Sequence, residues 1–387
     1  MNPLLSILVG VALLPGHATL VIASHNWWYG RLIGRRITDF VQVIHLVFLL
    51  LFSVYLFPRQ WPFLPWGMYW GPFYLAAAFL GLVMLVWTTI LRNLRREPPE
   101  IVRKGIEILT PSGQLGYPGQ GIGLRGLLAK LPGNEVLRPV IEFSEIRSAI
   151  FPSEWDGLKI IHLSDLHFCG TPTREWFQVV LKDCARHEPH LIVLTGDIVD
   201  GLDFHHWVGG TLGRFSKKIH RVGILGNHDT WYEPRQLLKI LQAHDYQMVG
   251  GREKVMLLKG VPVRFVGSER PWRGGVPDFH DDHPEMFTIA LCHSPDEASW
   301  AANSGAKLIF AGHVHGGQVR MPFVGSIIMP SRHGRHFDKG WFRVGDSLMH
   351  VSSGLGGSQP IRWRCPPEVS LITLRLPKII EIGRAHV

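Results

Sequence analysis

LKIIHLSDLH (residues 158–167), LIVLTGDIVD (191–200) and RVGILGNHD (221–229) share one form. In each, a short run of β-branched residues gives way at once to Asp, Asn, His and Gly. A strand buried on both faces of a parallel sheet reads as such an unbroken apolar run, and α/β sheets gather ligands beyond the carboxyl ends of their strands. FTIALCHSP (287–295) and LIFAGHVHGG (308–317) repeat the form. Helix-like stretches at 173–187, 234–244 and 296–303 separate several of these runs, which predicts a layered α/β domain. A further run at 263–266, and late runs at 318–328, 341–352 and 369–376 with no helix between them, predict a mixed sheet.

The strand ends carry Ser164-Asp165-Leu166-His167, Gly196-Asp197-Ile198-Val199-Asp200, Gly226-Asn227-His228-Asp229, Cys292-His293-Ser294-Pro295 and Gly312-His313-Val314-His315. A lone D-x-H is more often a turn with a surface histidine, and a lone His293 more often a satisfied core residue. A polar cluster at each of five strand ends is hard to explain as packing, because buried carboxylates and imidazoles are costly without partners. Extended backbone sets residues two apart on one side, so Asp165 with His167, and His313 with His315, suit one ion or divide between two. Imidazole and carboxylate ligands without thiolate favour Mn, Fe or Zn.

In chain order these clusters read D-x-H, G-D-x-x-D, G-N-H-[DE], a separate His, and G-H-x-H. The set resembles the calcineurin-like metallophosphoesterase superfamily over residues 138–376. HLSDLH, LTGDIVD, LGNHD, AGHVHGGQVRMP and SSGLGGSQPIRWRCPPEV look like its branch with N-terminal transmembrane helices. The resemblance implies a four-layer α-β-β-α sandwich with mixed sheets and a hydrolase of phosphoric ester or pyrophosphate bonds. It implies two divalent metal ions (Mn, Fe or Zn), with Asp165, His167 and His315 on one, Asn227, His293 and His313 on the other, and Asp197 bridging. A water or hydroxide between the ions would be the nucleophile. His228 would face the leaving group as general acid or charge stabiliser, Asp229 would fix its tautomer and raise its pKa, and Asp200 would orient a ligand from behind. Glu269-Arg270-Pro271-Trp272 has a counterpart in the branch and reads equally as a substrate rim or a structural turn. Gly201 after Asp200 and Leu225 before Gly226 argue against the protein-phosphatase branch, and no ligand is missing as it would be in a non-catalytic binding module.

Composition points to a second part. Hydrophobic residues make up 46% of the 387 and charged residues 18%, which excludes a disordered chain. Four cysteines (Cys169, Cys184, Cys292, Cys365) without a C-x-x-C pair exclude a disulfide scaffold and a zinc finger. The uncharged runs 3–24, 40–57 and 71–91 have spanning length and predict about three transmembrane helices in a membrane domain 1–96. Pro15-Gly16-His17 interrupts the first, and since no Lys or Arg precedes Arg31, a cleaved signal peptide is not expected. His17 and His45, inside spans, read as interface residues rather than functional ones. The Pro/Gly-rich residues 97–137 predict a linker to the 138–376 domain. Residues 377–387 form a tail; IGRAHV (382–387) back-translates to sequencing-adapter codons, so the natural C-terminus is expected elsewhere.

The net charge of +9 suggests nucleic acid until it is located. Residues 1–96 hold seven Arg and one Asp, a net +6. Arg31, Arg35 and Arg36, then Arg92, Arg95 and Arg96, flank the runs, whereas the aromatic loop with Trp61, Phe63, Trp66, Tyr69 and Trp70 carries only Arg59. The positive-inside rule then sets the N-terminus outside and the phosphoesterase domain in the cytoplasm. The charge is an orientation signal, and no nucleic-acid partner is expected. The expected partners are the lipid bilayer and a phosphorylated, lipid-linked substrate. Related membrane-associated enzymes include pyrophosphatases of UDP-2,3-diacylglucosamine, the named candidate. A general phosphodiesterase or protein phosphatase of the same superfamily is the alternative. Basic residues at 331–339 and 362–364 suit phosphate or an anionic membrane, though a solvated face is the commoner fate of such runs.

Overall fold

The computed structural model describes residues 3–31, 34–53, 67–276 and 286–377. The chain divides into two compact units, one of Met1–Arg96 with Val314–Asp338, the other of Glu97–His313 with Lys339–Val387. In chain order come α1 (Pro3–Tyr29), α2 (Arg35–Phe52) and α3 (Gly67–Leu94), then β1 (Ile101–Ile108), α4 (Pro111–Leu115), α5 (Gly123–Ala129) and β2 (Val140–Arg147). They are followed by β3 (Leu158–Leu163), α6 (Arg174–Ala185), β4 (Leu191–Leu194), α7 (His205–Thr211), β5 (His220–Gly223), α8 (Asn227–Trp231), α9 (Pro234–Ala243) and β6 (Gln247–Met248). Next are β7 (Glu253–Leu258), β8 (Val261–Ser268), β9 (Phe287–Cys292), α10 (Ala298–Asn303) and β10 (Leu308–Ala311). The short β11 (Arg320–Met321) and β12 (Gly325–Ser326) belong to the first unit, and β13 (Gly340–Val344), β14 (Ser347–Val351) and β15 (Glu368–Arg375) close the second.

The second unit holds two mixed sheets, ordered β1-β2-β15-β3-β4-β5-β6 and β13-β14-β10-β9-β8-β7. Strands β3 to β6 are parallel in the first, and β14, β10, β9 and β8 in the second. Alternate residues explain the layers. Ile160, Val193 and Val222 face Val263, Ile289 and Phe310 of the other sheet in one core. Ile161, Leu163, Ile192 and Leu194 point the opposite way, against Trp176 and Phe177 of α6, Val208 of α7 and Leu241 of α9. With α10 against β9 and β10, this gives helices, sheet, sheet, helix, the four layers that the motifs implied.

Two expectations need correction. Residues 97–137 are not a linker: β1 pairs antiparallel with β2 as the edge of the seven-stranded sheet, and Gln114 of α4 bonds the Asp183 carboxylate of α6 at 3.0 Å. Arg103, Lys104 and Glu107 make β1 polar, so its order comes from backbone pairing with β2 rather than from an apolar pattern. Residues 314–338 pack with the helical unit, and the expected 318–328 strand shrinks to β11 and β12.

In the first unit, α1 runs unbroken through Pro15-Gly16-His17. A Cβ on Gly16 would collide with the Ala78 backbone, and one on Gly81 with the Gly16 carbonyl, so α1 and α3 meet backbone to backbone through small residues. His17 bonds the Leu49 carbonyl of α2 at 3.0 Å and the Tyr74 hydroxyl of α3, and His45 bonds Ser24 at 2.9 Å. Among the described residues two helices are long and apolar enough to cross a bilayer, Ile7–Tyr29 and Pro72–Leu94. The expected second span is represented by α2, whose 18 residues begin with Arg35, Arg36 and Asp39. Residues 54–57 of that span, Arg59, Trp61, Phe63 and Trp66 of the aromatic loop, and the tail from 378 lie outside the described residues.

The 314–338 segment is held by one buried carboxylate. Asp338 accepts from Arg92 at 2.9 Å, Arg95 at 3.0 Å and Arg320 at 3.0 Å. Burial works to raise its pKa, but these guanidiniums outweigh it and hold it at about 2. A carboxylate whose pKa is depressed on folding stabilises above the unfolded value of about 3.9 and stops doing so as pH falls through the folded value. We expect Asp338→Asn to cost about 3 kcal/mol at pH 7, because it leaves three half-buried guanidiniums without their counter-charge. Thermal unfolding of the full chain in detergent checks this, with the gap to wild type closing between about pH 4 and 2.

Candidate metal centre

Parallel strands send their carboxyl ends to one edge. There β3 delivers Asp165 and His167, β4 Asp197 and Asp200, β5 Asn227 and His228, β9 His293 and β10 His313. Because the sheets face each other, the two sets meet. The His313 backbone N–H donates to both Asp165 carboxylate oxygens, at 3.1 and 3.0 Å. His293 sets Nε2 at 2.9 Å from Asn227 Oδ1 and 3.4 Å from Asp197 Oδ2, while its Nδ1 lies 2.7 Å from the Thr195 carbonyl. His167 Nε2 is 3.5 Å from Asp197 Oδ2 and 3.9 Å from Asp165 Oδ1. Donor atoms of Asp197, His293 and His313 all lie within 4.8 Å of one another, as do those of His167, Asp200 and His228. His315 opens the turn His315–Gly317, which belongs to the other compact unit.

The backbone is strained where these side chains converge. Asp165 (φ 52°), His167 (43°), Asp197 (53°), His313 (69°) and His315 (50°) all adopt the left-handed region. Such conformations cost on the order of 1–3 kcal/mol each and cluster at functional sites. Gly226 is glycine for space, since a Cβ there would strike the Asp197 carboxylate.

Burial opposes charge on His167 and His293, yet the facing carboxylates (Asp200, Asp197 and Asp165 for His167; Asp197 and Asp165 for His293) push both pKa values up to about 9. Burial also raises Asp165, whereas Asp197, against its burial, is held below the usual carboxylate range by His293, His228 and His167. A cage that traps positive charge on its own imidazoles is built for a cation. Carboxylate, amide and imidazole donors without thiolate fit a divalent ion.

The sequence profile of the calcineurin-like phosphoesterases matches residues 158–317. A metallophosphoesterase of Bacillus subtilis, YkuE, described as uncharacterized, is 30% identical over 248 residues, covering 61% of this chain and 86% of its own. The chain belongs to the calcineurin-like metallophosphoesterase family. It is a metal-dependent phosphoesterase. The phosphodiesterase YaeI of Escherichia coli is 25% identical (59% of this chain, 86% of its own). The UDP-2,3-diacylglucosamine pyrophosphatase LpxG of Chlamydia trachomatis is 23% identical (56% and 83%).

Behind the cage of this metallophosphoesterase, Asp229 departs from its expected role, and Asp200 bonds His167 as expected but also takes the part expected of Asp229. Asp229 does not reach His228. Its Oδ1 accepts from the backbone N–H groups of Ile198 and Val199, and its Oδ2 from that of Gly226. Burial and the Asp197 charge push its pKa up to about 7. Asp229 therefore ties the β4 loop to the β5 loop. The partner of His228 is Asp200, whose Oδ1 lies 2.7 Å from His228 Nδ1 and 2.8 Å from His167 Nδ1. Although burial works to raise it, Asp200 is held well below its usual pKa by His167 and His228. An ionised carboxylate only accepts, so both Nδ1 atoms donate and both Nε2 atoms face away from Asp200.

Ser358 was not foreseen as a site residue: its hydroxyl donates to Asp200 Oδ2 at 2.7 Å. The segment SSGLGGSQP signalled a special loop without marking this serine. The Glu269–Trp272 segment is tied to the cage by its first and last residues. Glu269 accepts the Leu225 N–H at 2.8 Å, just before Gly226, and the Trp272 ring lies 4.7 Å from His313 and 5.3 Å from His293. Arg362 is fully buried and donates to the carbonyls of Ser353, Gly354, Gly356, Cys365 and Pro366, which shapes the loop rather than meeting phosphate.

Asp229→Ala removes the acceptor of these backbone donors, and each buried donor left unsatisfied costs about 1–3 kcal/mol. We expect a lower thermal midpoint. Asp200→Asn should keep the midpoint and lower turnover by about 10–100-fold, because it loosens the tautomer of His167 and His228. The reverse pattern in calorimetry and kinetics would exchange the two roles.

Proposed function

We propose a membrane-tethered, cytoplasm-facing phosphohydrolase that cleaves a phosphodiester or pyrophosphate bond in a lipid-linked substrate such as UDP-2,3-diacylglucosamine. The cage at the shared carboxyl edge of the two sheets carries the reading. Asp165, His167 and His315 would hold one divalent ion, Asn227, His293 and His313 would hold the second, and Asp197 would serve both. When bound, two such cations acidify a water and neutralise phosphoryl charge. Asp200 fixes the tautomer in which His167 offers Nε2 as a ligand. The same carboxylate takes the His228 Nδ1–H, so His228 faces the leaving oxygen with Nε2 and delivers the proton there.

Three observations support the lipid-linked substrate. The helices α1 and α3 have spanning length. Ile122, Leu124 and Leu127, on and beside α5, are 96, 71 and 65% exposed, while Arg125 of the same helix bonds the Cys169 sulfur at 3.0 Å, two residues beyond His167. Exposed apolar patches of this kind mark lipid or partner contacts. The chlamydial relative named for UDP-2,3-diacylglucosamine is the third. The Arg clusters around α1 and after α3 favour a cytoplasmic catalytic unit. A phosphodiesterase of soluble substrates is the second reading, favoured by the Escherichia coli relative.

Full-length protein with Mn²⁺ is assayed on UDP-2,3-diacylglucosamine, bis(p-nitrophenyl) phosphate and p-nitrophenyl phosphate. The acylated nucleotide should show the highest kcat/KM; a preference for the soluble diester moves the assignment to the second reading. His228→Ala should keep its metal content and lose about 10²–10⁴ in turnover. Asp197→Asn should lose metal and activity together, and full metal occupancy in that variant would remove its bridging role.

A further inference from the structure

Within the first unit, α1, α3 and the 324–335 segment enclose a cavity of about 330 Å³. Small-molecule sites span roughly 300–1,000 Å³. Ile22 and Trp27 of α1 and Met84 and Leu85 of α3 form apolar walls, and Arg332 and Arg335 also line it. Cations outnumber anions there. The nearby carboxylate of Asp338, outside the cavity lining, is already engaged by Arg92, Arg95 and Arg320. Arg335 adds a further guanidinium that meets no carboxylate among the described residues. Its Nη atoms donate to the Thr88 and Thr89 hydroxyls at 3.3 Å and to the Val324 carbonyl, and its buried Nε has no hydrogen-bond partner among the described residues. Burial and the like charge of Arg92 push the Arg335 pKa down, and the nearby Asp338 charge offsets only part of this.

An apolar slot between two membrane-length helices, lined by a guanidinium that closes no ion pair among the described residues, matches one class of ligand. A free phosphate would leave Ile22, Trp27, Met84 and Leu85 uncovered, and a zwitterionic lipid would bring its own cation to Arg335. We propose that this cavity binds an anionic phospholipid of the bilayer, with an acyl chain between α1 and α3 and the phosphate on Arg335. It is made of residues outside the catalytic cage, and it rests on reading α1 and α3 as membrane spans.

Full-length protein in mild detergent is titrated with dioleoylphosphatidylglycerol, dioleoylphosphatidylcholine and glycerol phosphate, and bound adducts are counted by native mass spectrometry. Phosphatidylglycerol should be retained about tenfold over phosphatidylcholine, with no glycerol phosphate bound. Arg335→Gln should abolish the headgroup preference, and Met84→Trp, which fills the slot and keeps every charge, should lower retention of both lipids. Equal retention of the two lipids by wild type, or undiminished phosphatidylglycerol in both variants, overturns the site. Carbonate extraction separates the two readings. Release of the chain from membranes refutes the spans and the site together, whereas a chain that stays in membranes without lipid preference refutes the site alone.

Discussion

Buried carboxylates cannot stand together without positive charge between them, and this constraint shapes the catalytic unit. Asp165, Asp197, Asp200 and Asp229 are all nearly or fully inaccessible to solvent at one edge of the two sheets. Three of them face imidazoles, and the fourth is enclosed by backbone N–H groups. The left-handed conformations of Asp165, His167, Asp197 and His313 are of the kind that persists only where the surrounding structure over-determines it. The core of Ile160, Val193, Val222, Ile289 and Phe310 joins the two sheets that carry the cage.

Charge also explains the division of labour among residues that look alike. Asp200 and Asp229 are both Asp with side chains shielded from solvent, and each closes one of the strand-end motifs. One accepts from two imidazoles and a serine, so it acts on the reacting groups through His167 and His228. The other accepts only from main chain and holds two loops in register. Trp272 adds an apolar wall against His293 and His313, which limits how those rings can turn.

Much of this was legible in sequence. LKIIHL, LIVL and LIFA read as buried strands because both faces of each are covered, and the structure places strands at those residues. Asp165, His167, Asp197, Asn227, His293 and His313 were readable because each follows an apolar run directly. What escaped depended on partners remote in sequence. β1 is polar and exposed, and only β2, more than thirty residues later, makes it a strand. Ser358 reaches Asp200 across 158 positions, and Asp338 meets Arg92 across 246.

The sequence by itself determined the order of strands, the chemistry of the donors at their ends, and the length and charge asymmetry of the N-terminal apolar runs. These are local properties, set by residue type and short-range spacing. Only the tertiary structure decided which carboxylate serves His228, that residues 101–108 enter the sheet, and that 314–338 joins the helical unit. A hydrogen bond is chosen by a separation of about 3 Å in space, and separation along the chain says little about it.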